Sequence, residues 1–206
     1  MIRFFLICLS LFTVACGSGR FQSHWVKKKA PEQFTARFET TQGSFDVEVT
    51  RTSSPAAVDR FYQQVVHGFY ENAVFYRVIP GFVAQFGISD TNKINQWAKH
   101  KIPDEPVVNG NERGSLSFAR AGKETRGTDL YFNLVHNARL DTVSYNEVKG
   151  FPCFGKITSG LAVIDSIYAG YASRSVDQLD TLYRDRKKYL ASFPRLDLIR
   201  RISILP

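Results

Sequence analysis

The stretch Phe75-Tyr76-Arg77-Val78-Ile79-Pro80-Gly81-Phe82-Val83-Ala84-Gln85 reads as strand, turn, strand. Apolar runs over 74–79 and 82–86 flank a Pro-Gly pair, and such pairs mark tight turns. Strand alternation places Val83 and Gln85 on one face of the second run. A single arginine, Arg77, interrupts the first run. A guanidinium in an apolar strand needs a reason. It is either a partner in a partly buried ion pair or a donor aimed into an apolar pocket.

Working outward, the same period recurs. Phe34, Ala36, Phe38 and Thr40 alternate with polar residues, as do Phe45, Val47 and Val49, with Gln42-Gly43 between them; this predicts a β-hairpin. Ser53-Ser54-Pro55 offers an N-cap and a first-turn proline. Ala57, Phe61 and Val65 then follow at helical spacing, and Gly68 ends the helix. Short apolar runs over 115–119, 130–135 and 151–157 predict further strands, separated by Gly, Pro, Asn and Asp. A second helix fits 160–168, with Leu161, Ile164, Ile167 and Tyr168 on one face. The polar segment 176–191, with a weak stripe of Leu179, Leu182, Tyr183 and Leu190, reads as a surface helix, and 199–205 as a closing strand. Many short strands with few helices argue for a closed or nearly closed barrel, which leaves no exposed edge.

The ends of the chain carry a different message. Met1-Ile2-Arg3 supplies one positive charge, and 4–14 is almost wholly apolar: too short to span a bilayer, right for an export signal. It ends at Thr13-Val14-Ala15-Cys16, which resembles the lipobox of bacterial lipoproteins. That resemblance implies a signal peptide over 1–15, a lipidated Cys16 and a place in the bacterial cell envelope, anchored to a membrane and facing the periplasm or the exterior. A plain secretory signal with an incidental cysteine is the alternative. Residues 16–32, opening on Gly17-Ser18-Gly19, read as a flexible tether, and 33–206 as one domain. Cys8 leaves with the signal, so Cys153 has no partner and is expected as a buried strand cysteine.

Composition narrows the classes further. The 206 residues are 44% hydrophobic and 22% charged, ordinary for a globular domain and incompatible with global disorder. The core draws on 17 Phe and a single Met. A net charge of +8 does not by itself mark a nucleic-acid binder, and none is expected as a partner. Three cysteines exclude a disulfide-rich scaffold and a four-Cys zinc site. No His-Glu-x-x-His, Cys-x-x-Cys or Gly-x-Ser-x-Gly is present. His24, His67, His100 and His136 lack metal-ligand spacing. Residues 122–128 place four residues between two glycines but lack the lysine of a phosphate-binding loop. Asp104 and Glu105 read as solvated rather than as a catalytic pair. Lys27-Lys28-Lys29 and the cluster Arg184, Arg186, Lys187 and Lys188 read as solvated charge.

The quoted stretch resembles the cyclophilin pattern Phe-His-Arg-Val-Ile-Pro-Gly-Phe-x-x-Gln-Gly-Gly-Asp. A second block, Gly114 to Gly122 followed by Gly127-Thr128-Asp129-Leu130-Tyr131-Phe132 and Leu140-Asp141, is similar to Gly-Thr-Leu-Ser-Met-Ala-Asn-Ala-Gly … Gly-Ser-Gln-Phe-Phe-Ile … Leu-Asp. A third, Phe154-Gly155-Lys156-Ile157-Thr158-Ser159-Gly160, is similar to Phe-Gly-Lys-Val-x-x-Gly. The resemblance covers about 34–204. It implies an eight-stranded antiparallel barrel capped by two helices, here with an extra C-terminal surface helix. It also implies a monomeric peptidyl-prolyl cis–trans isomerase acting on Pro-containing polypeptides, such as exported proteins during folding, with no cofactor and no metal. Arg77 falls on the catalytic arginine, and Gln85 joins it as a catalytic group. Phe82, Val83, Tyr131, Leu140 and, more loosely, Phe151 fall on the proline pocket. Ala119, Arg120, Ala121 and Asp129 fall on positions along the substrate groove.

Several residues depart from the pattern. Tyr76 replaces His, Phe86 replaces Gly, Arg120 replaces Asn, Asp129 replaces Gln, and Arg139 replaces an aromatic. The stretch 142–150 is longer than in compact members. Arg139 predicts weak cyclosporin binding. Asp129 poses the sharpest question: a carboxylate near Arg77 either captures its donors or fixes the guanidinium in place. The altered groove keeps a second function open, a catalytically weak Pro-peptide-binding module or chaperone of the envelope. A third is a structural lipoprotein docking through its C-terminal helix.

Overall fold

The computed structural model describes residues 21–88 and 90–206. The expected signal peptide over 1–15 and the lipidation site Cys16 lie outside the described residues. Eight strands close into an antiparallel barrel: β1 (Gln33–Thr40), β2 (Ser44–Thr50), β3 (Ala73–Val78), β4 (Val83–Gly87), β5 (Ser115–Phe118), β6 (Leu130–Asn133), β9 (Cys153–Ser159) and β10 (Leu198–Ile204). Their order around the barrel is β1-β10-β3-β4-β6-β5-β9-β2. Two further short strands, β7 (Ser144–Tyr145) and β8 (Val148–Lys149), form a separate hairpin. Asn146 and Glu147 both have positive φ, 45° and 66°, the requirement of a two-residue turn that matches strand twist.

The alternation read from the sequence sorts residues to the inside. Ala36, Phe38, Val47, Val49, Ala84, Phe86, Leu116 and Phe132 are wholly buried in one core. Its centre is aromatic: Phe38 stacks on Phe45 at 5.0 Å, and Phe132 meets Phe38 edge-on at 5.3 Å. Phe86, one of the departures from the family pattern, fills this centre, 5.8 Å from Phe132 and 5.3 Å from Phe75. Burying such a ring is worth about 1.5–3 kcal/mol.

The two expected helices are α1 (Pro55–Val66) and α4 (Ala162–Ser166). In α1, Ala57, Phe61 and Val65 face the core as their spacing requires. Its start differs from expectation. Ser54 makes no capping bond to the helix. Instead the Glu105 carboxylate accepts from the Ala56 and Ala57 amides at 2.8 and 3.3 Å, and from the Ser54 hydroxyl. Glu105 also pairs with the buried Arg126 at 3.0 Å, while Asp104 lies 3.7 Å from that guanidinium. Neither acid is a solvated loop residue, because free helix amides and a buried cation both demand an anion. Helix α4 is shorter than 160–168, since Ile167 turns to an extended backbone. Ile164 and Ile167 are buried, and Leu161 stays exposed. Between them the chain forms α2 (Thr91–Ala98), capped by Asp90, and the single turn α3 (Arg139–Thr142).

Two further expectations are corrected. The segment 176–191 lies at the surface as expected but is not one helix. After a short 3-10 turn it forms α5 (Leu179–Arg184) and α6 (Arg186–Ser192), broken at Asp185. Leu182 and Tyr189 are buried and pack with Val74, Tyr76 and Phe193 into a second core on the outside of β3. The weak apolar stripe is the seam of this layer, while Arg184, Lys187 and Lys188 stay exposed on its other side. The tether 16–32 is also not free in its described part, 21–32. Phe21 meets Trp97 at 5.2 Å, Trp25 stacks on His67 at 3.6 Å, and the Ala30 amide donates to Asp59 at 2.8 Å. Two aromatic rings supply enough apolar area to dock the segment. Lys27, Lys28 and Lys29 are exposed, as expected. Cys153 is a free, buried strand cysteine, and burial pushes its thiol up to about 12.

Candidate active site

The site begins with the turn between β3 and β4. The Phe82 amide donates to the Ile79 carbonyl at 3.0 Å, and Gly81 has φ of 72°. Pro80 presets the first corner, and only glycine adopts the second without strain. The register pairs Arg77 with Gln85 and Val78 with Ala84. A bulge between Val74 and Arg77 gives β3 one extra residue. Phe75 and Val78 belong to the barrel core and Tyr76 to the outer one. The bulge thus puts consecutive residues, Tyr76 and Arg77, on the outer wall together.

That wall carries a cavity of about 360 Å³ lined by Arg77, Phe82, Val83, Gln85, Ala119, Arg120, Tyr131, Leu140, Tyr145 and Phe151. Nine of the sequence-derived residues meet there: Arg77, Gln85, Phe82, Val83, Ala119, Arg120, Tyr131, Leu140 and Phe151. Ala121 and Asp129 do not. Ala121 is an exposed loop residue whose amide donates to Thr125 and whose carbonyl accepts from Asn146. Its backbone is occupied by the loop and by the β7–β8 hairpin. Tyr145, on that hairpin, was missed. Its only trace in the sequence is the long 142–150 stretch. A larger cavity, about 420 Å³, lies elsewhere on the barrel against Glu48, Glu112 and Lys156. It lacks the apolar lining with few convergent polar groups that marks a substrate pocket.

A chain of hydrogen bonds runs behind the groove. Arg77 Nη1 donates to Gln85 Oε1 at 3.3 Å, Gln85 Nε2 donates to Tyr76 Oη at 2.6 Å, and Tyr76 Oη donates to Asp129 Oδ1 at 3.3 Å. Thr128 Oγ1 donates to the other Asp129 oxygen at 2.8 Å. Asp129 therefore neither lines the groove nor takes the donors of Arg77. It ends a relay that begins at Arg77, with Gln85 and Tyr76 between. Gly87 makes room for it, since a Cβ there would collide with the Asp129 carboxylate. Burial pushes the Asp129 carboxyl above the ordinary aspartate range, while bonds from Thr128 and Tyr76 work the other way. Burial likewise lifts the Tyr76 phenol, reinforced by the nearby Asp129.

The remaining walls are held from behind. Arg120 donates to the carbonyls of Val148 and Gly150 at 2.8 and 2.6 Å and lies 4.2 Å from the centre of the Phe151 ring. It clamps the β7–β8 hairpin and flattens Phe151 against the groove. Phe151 also meets Tyr131 edge-on at 6.3 Å. Tyr131 Oη donates to Asn111 at 2.9 Å, and Asn111 joins Asn133 in a buried polar cluster. Each wall thus has its own support, which is what a preorganised pocket needs. Among the described residues no group of three or more His, Cys, Asp or Glu is placed to hold a metal ion.

A closed antiparallel barrel with an apolar groove on its outer wall, and a guanidinium reaching into that groove, defines the class. The chain belongs to the cyclophilin-type peptidyl-prolyl cis–trans isomerase family. The family profile described as cyclophilin type peptidyl-prolyl cis-trans isomerase/CLD matches residues 35–184. A peptidyl-prolyl cis-trans isomerase of Helicobacter pylori is 35% identical over 146 residues, 68% of this chain and 84% of that one. Peptidyl-prolyl cis-trans isomerase A of Dickeya dadantii is 33% identical over 135 residues, 62% of this chain and 67% of that one. The fold matches the crystal structure of a Cryptosporidium parvum cyclophilin-type isomerase at a TM-score of 0.57 and 21% identity, covering 84% of this chain and 98% of that one.

Proposed function

We propose that this isomerase turns X–Pro bonds in the groove described above, with Arg77 as the group that acts on the rotating bond. Rotation about a peptide bond meets a barrier of about 18–20 kcal/mol because resonance is lost midway. For X–Pro the two end states are close in energy and uncatalysed exchange takes roughly tens to hundreds of seconds. No covalent bond breaks, so no nucleophile is needed. Midway, the imide nitrogen regains its lone pair and the amide loses charge separation. Phe82, Val83, Tyr131, Leu140 and Phe151 grip the proline ring and favour that less polar state. Arg77 donates to the nitrogen or holds the carbonyl oxygen, a contact stronger at the midpoint than at either end.

The observation that carries this reading is that most N–H donors of Arg77 are unbound. Its one side-chain hydrogen-bond partner among the described residues is the neutral Gln85, and its guanidinium lies beside the Phe82 ring in the groove lining, so its remaining N–H groups are unbound there. Gln85 keeps one amide hydrogen for substrate backbone after bonding Tyr76. The pure binding alternative drew on Asp129 and Arg120, and both are turned to supporting roles. The test is cis–trans exchange of an Ala-Pro peptide, followed by NMR. Wild type accelerates exchange, and Arg77→Ala loses about 10²–10³-fold, the range for removing one preorganised donor. An Arg77→Ala protein as fast as wild type would discard Arg77 as the catalytic group.

The cellular setting is also a proposal. The apolar 4–14 run and Ala15-Cys16 support cleavage before Cys16, its lipidation and a place on the bacterial cell envelope, where exported Pro-containing polypeptides fold. One barrel builds the whole groove, which supports a monomer as the working unit. Detergent-phase partition that is lost in Cys16→Ala, together with a monomer mass for the Cys16→Ala protein in solution, checks both points.

A further inference from the structure

We propose that the groove selects proline segments that carry a glutamate beside the proline, with Arg139 as its specificity residue; this rests on the isomerase reading of the same site. A second cavity of about 390 Å³ adjoins the first. The two share Phe82, Leu140, Tyr145 and Phe151. They form one trough with Arg77 at one end and Arg139 at the other. The proline sits on the shared walls, within reach of Arg77, so the side chain of a flanking residue falls in the second cavity.

Two features define what that side chain is. The cavity adds Val143 to its shared apolar walls, so it takes an aliphatic stem. Beside the Tyr145 hydroxyl, its polar groups are Asn137 and Arg139. Asn137 is already used, donating to the Phe82 carbonyl and to Asn133. Arg139 is exposed, and its guanidinium has no ion pair or hydrogen bond among the described residues. Arg120 adds a third guanidinium to the trough, held only by two backbone carbonyls and a ring.

No carboxylate lines either cavity. The acids nearby are engaged elsewhere: Asp129 behind Tyr76, Asp141 on the Asn111 amide groups, Glu112 beside His136, and Asp104, whose charge reaches Arg120, beside Arg126 and the Glu124 amide. Arg77 and Arg139 over low-dielectric walls, with no carboxylate in the lining and Arg120 only partly offset by Asp104, set a positive field along the trough. An apolar stem ending in an anion is an acidic side chain, and glutamate has the longer stem of the two.

The test uses the purified protein and a peptide set built on Ala-Ala-Pro-Ala, with Glu or Lys placed at each position flanking the proline. The expected result is a kcat/KM for the best Glu peptide about tenfold above its Lys counterpart at low salt. The ratio shrinks towards one in 0.5 M salt, as a partly exposed pair is screened. Arg139→Glu inverts the Glu-to-Lys ratio, with its NMR spectrum confirming the fold. Equal rates for Glu and Lys peptides, on a protein that turns over the neutral peptide, overturn the proposal. So does a Glu preference that survives Arg139→Ala. No acceleration of any peptide, the neutral one included, overturns the isomerase reading and this proposal with it.

Discussion

Arg77 and Arg126 are the same side chain put to opposite uses. The Arg126 side chain is 1% exposed and is surrounded by Glu105, Asp104, the Ser54 hydroxyl and the Pro103 carbonyl. Arg77 is partly exposed, lies 5.6 Å from the Phe82 ring centre and has one neutral partner. The first is a strut: it ties the start of α1 to the 103–105 loop. The second keeps donors unbound, as the proposed role requires, because a donor that is already satisfied stabilises nothing new at the midpoint of a reaction. The difference lies in where the carboxylates are. Two acids face Arg126, while the acid nearest Arg77 in the network stands two side chains behind it.

The largest effect should come from breaking the strut. Glu105→Ala leaves Arg126 buried without its closest anion and two α1 amides without an acceptor. The expected loss is about 3–5 kcal/mol, read as a lower urea midpoint, and Glu105→Gln should recover part of it by keeping an acceptor. A midpoint equal to wild type would erase the contrast between the two arginines. Changing the free arginine should do the reverse. Arg77→Lys keeps the charge but not the planar fork. It should lower kcat/KM at least about tenfold, equivalent to ~1.4 kcal/mol, with the urea midpoint unmoved. A Lys variant of full activity would mean that a point charge suffices.

The barrel was legible because its signal is periodic: alternation in β1, β2 and β4 maps directly onto inward and outward faces. The groove was legible for a different reason, the ordered blocks around Arg77, Ala119 and Phe154. What stayed hidden depends on contacts far apart in the chain. Glu105 caps a helix that starts 50 positions earlier, and a loop carboxylate carries no local mark of that. The stripe Leu182–Tyr189 needed the outer face of β3 to be recognised as a seam. Asp129 sits one strand away from Tyr76, and only Gly87, the residue that makes space for its carboxylate, hints at the relay. Tyr145 reaches the groove because Asn146 and Glu147 turn the hairpin back, which no apolar pattern announces.

The relay itself supplies a smaller effect. Tyr76→Phe removes the hydroxyl that accepts from Gln85 and donates to Asp129. It should cost about 1 kcal/mol in stability. Without that anchor Gln85 turns more freely, so KM should rise a few-fold while kcat holds better. That split separates loosened substrate holding from loss of the reacting donor, where kcat falls. An unchanged KM would make the relay a purely structural feature.

The smallest effect is a slope with pH, and its sign tests the placement of Asp129. Burial raises the Asp129 carboxyl above its ordinary value of 3.8 in the folded protein. The folded state therefore binds that proton more tightly than the unfolded chain does. The resulting stability is fully present below about 3.8 and is lost as pH rises through the elevated folded value. Asp46 has the opposite sign. Arg37, bonded to it at 2.8 Å, holds its carboxyl below the ordinary range, so its contribution is present at neutral pH and lost on acidification. Asp129→Asn should remove the first slope alone. Urea unfolding from pH 3 to 7 then gives a difference, wild type minus variant, that falls with rising pH. A difference that rises instead would mean that the folded protein prefers the Asp129 anion. The bonds from Thr128 and Tyr76 would then outweigh the cost of burial. The relay would then end on a charged anchor for Tyr76, and through it for Gln85, rather than on a neutral one.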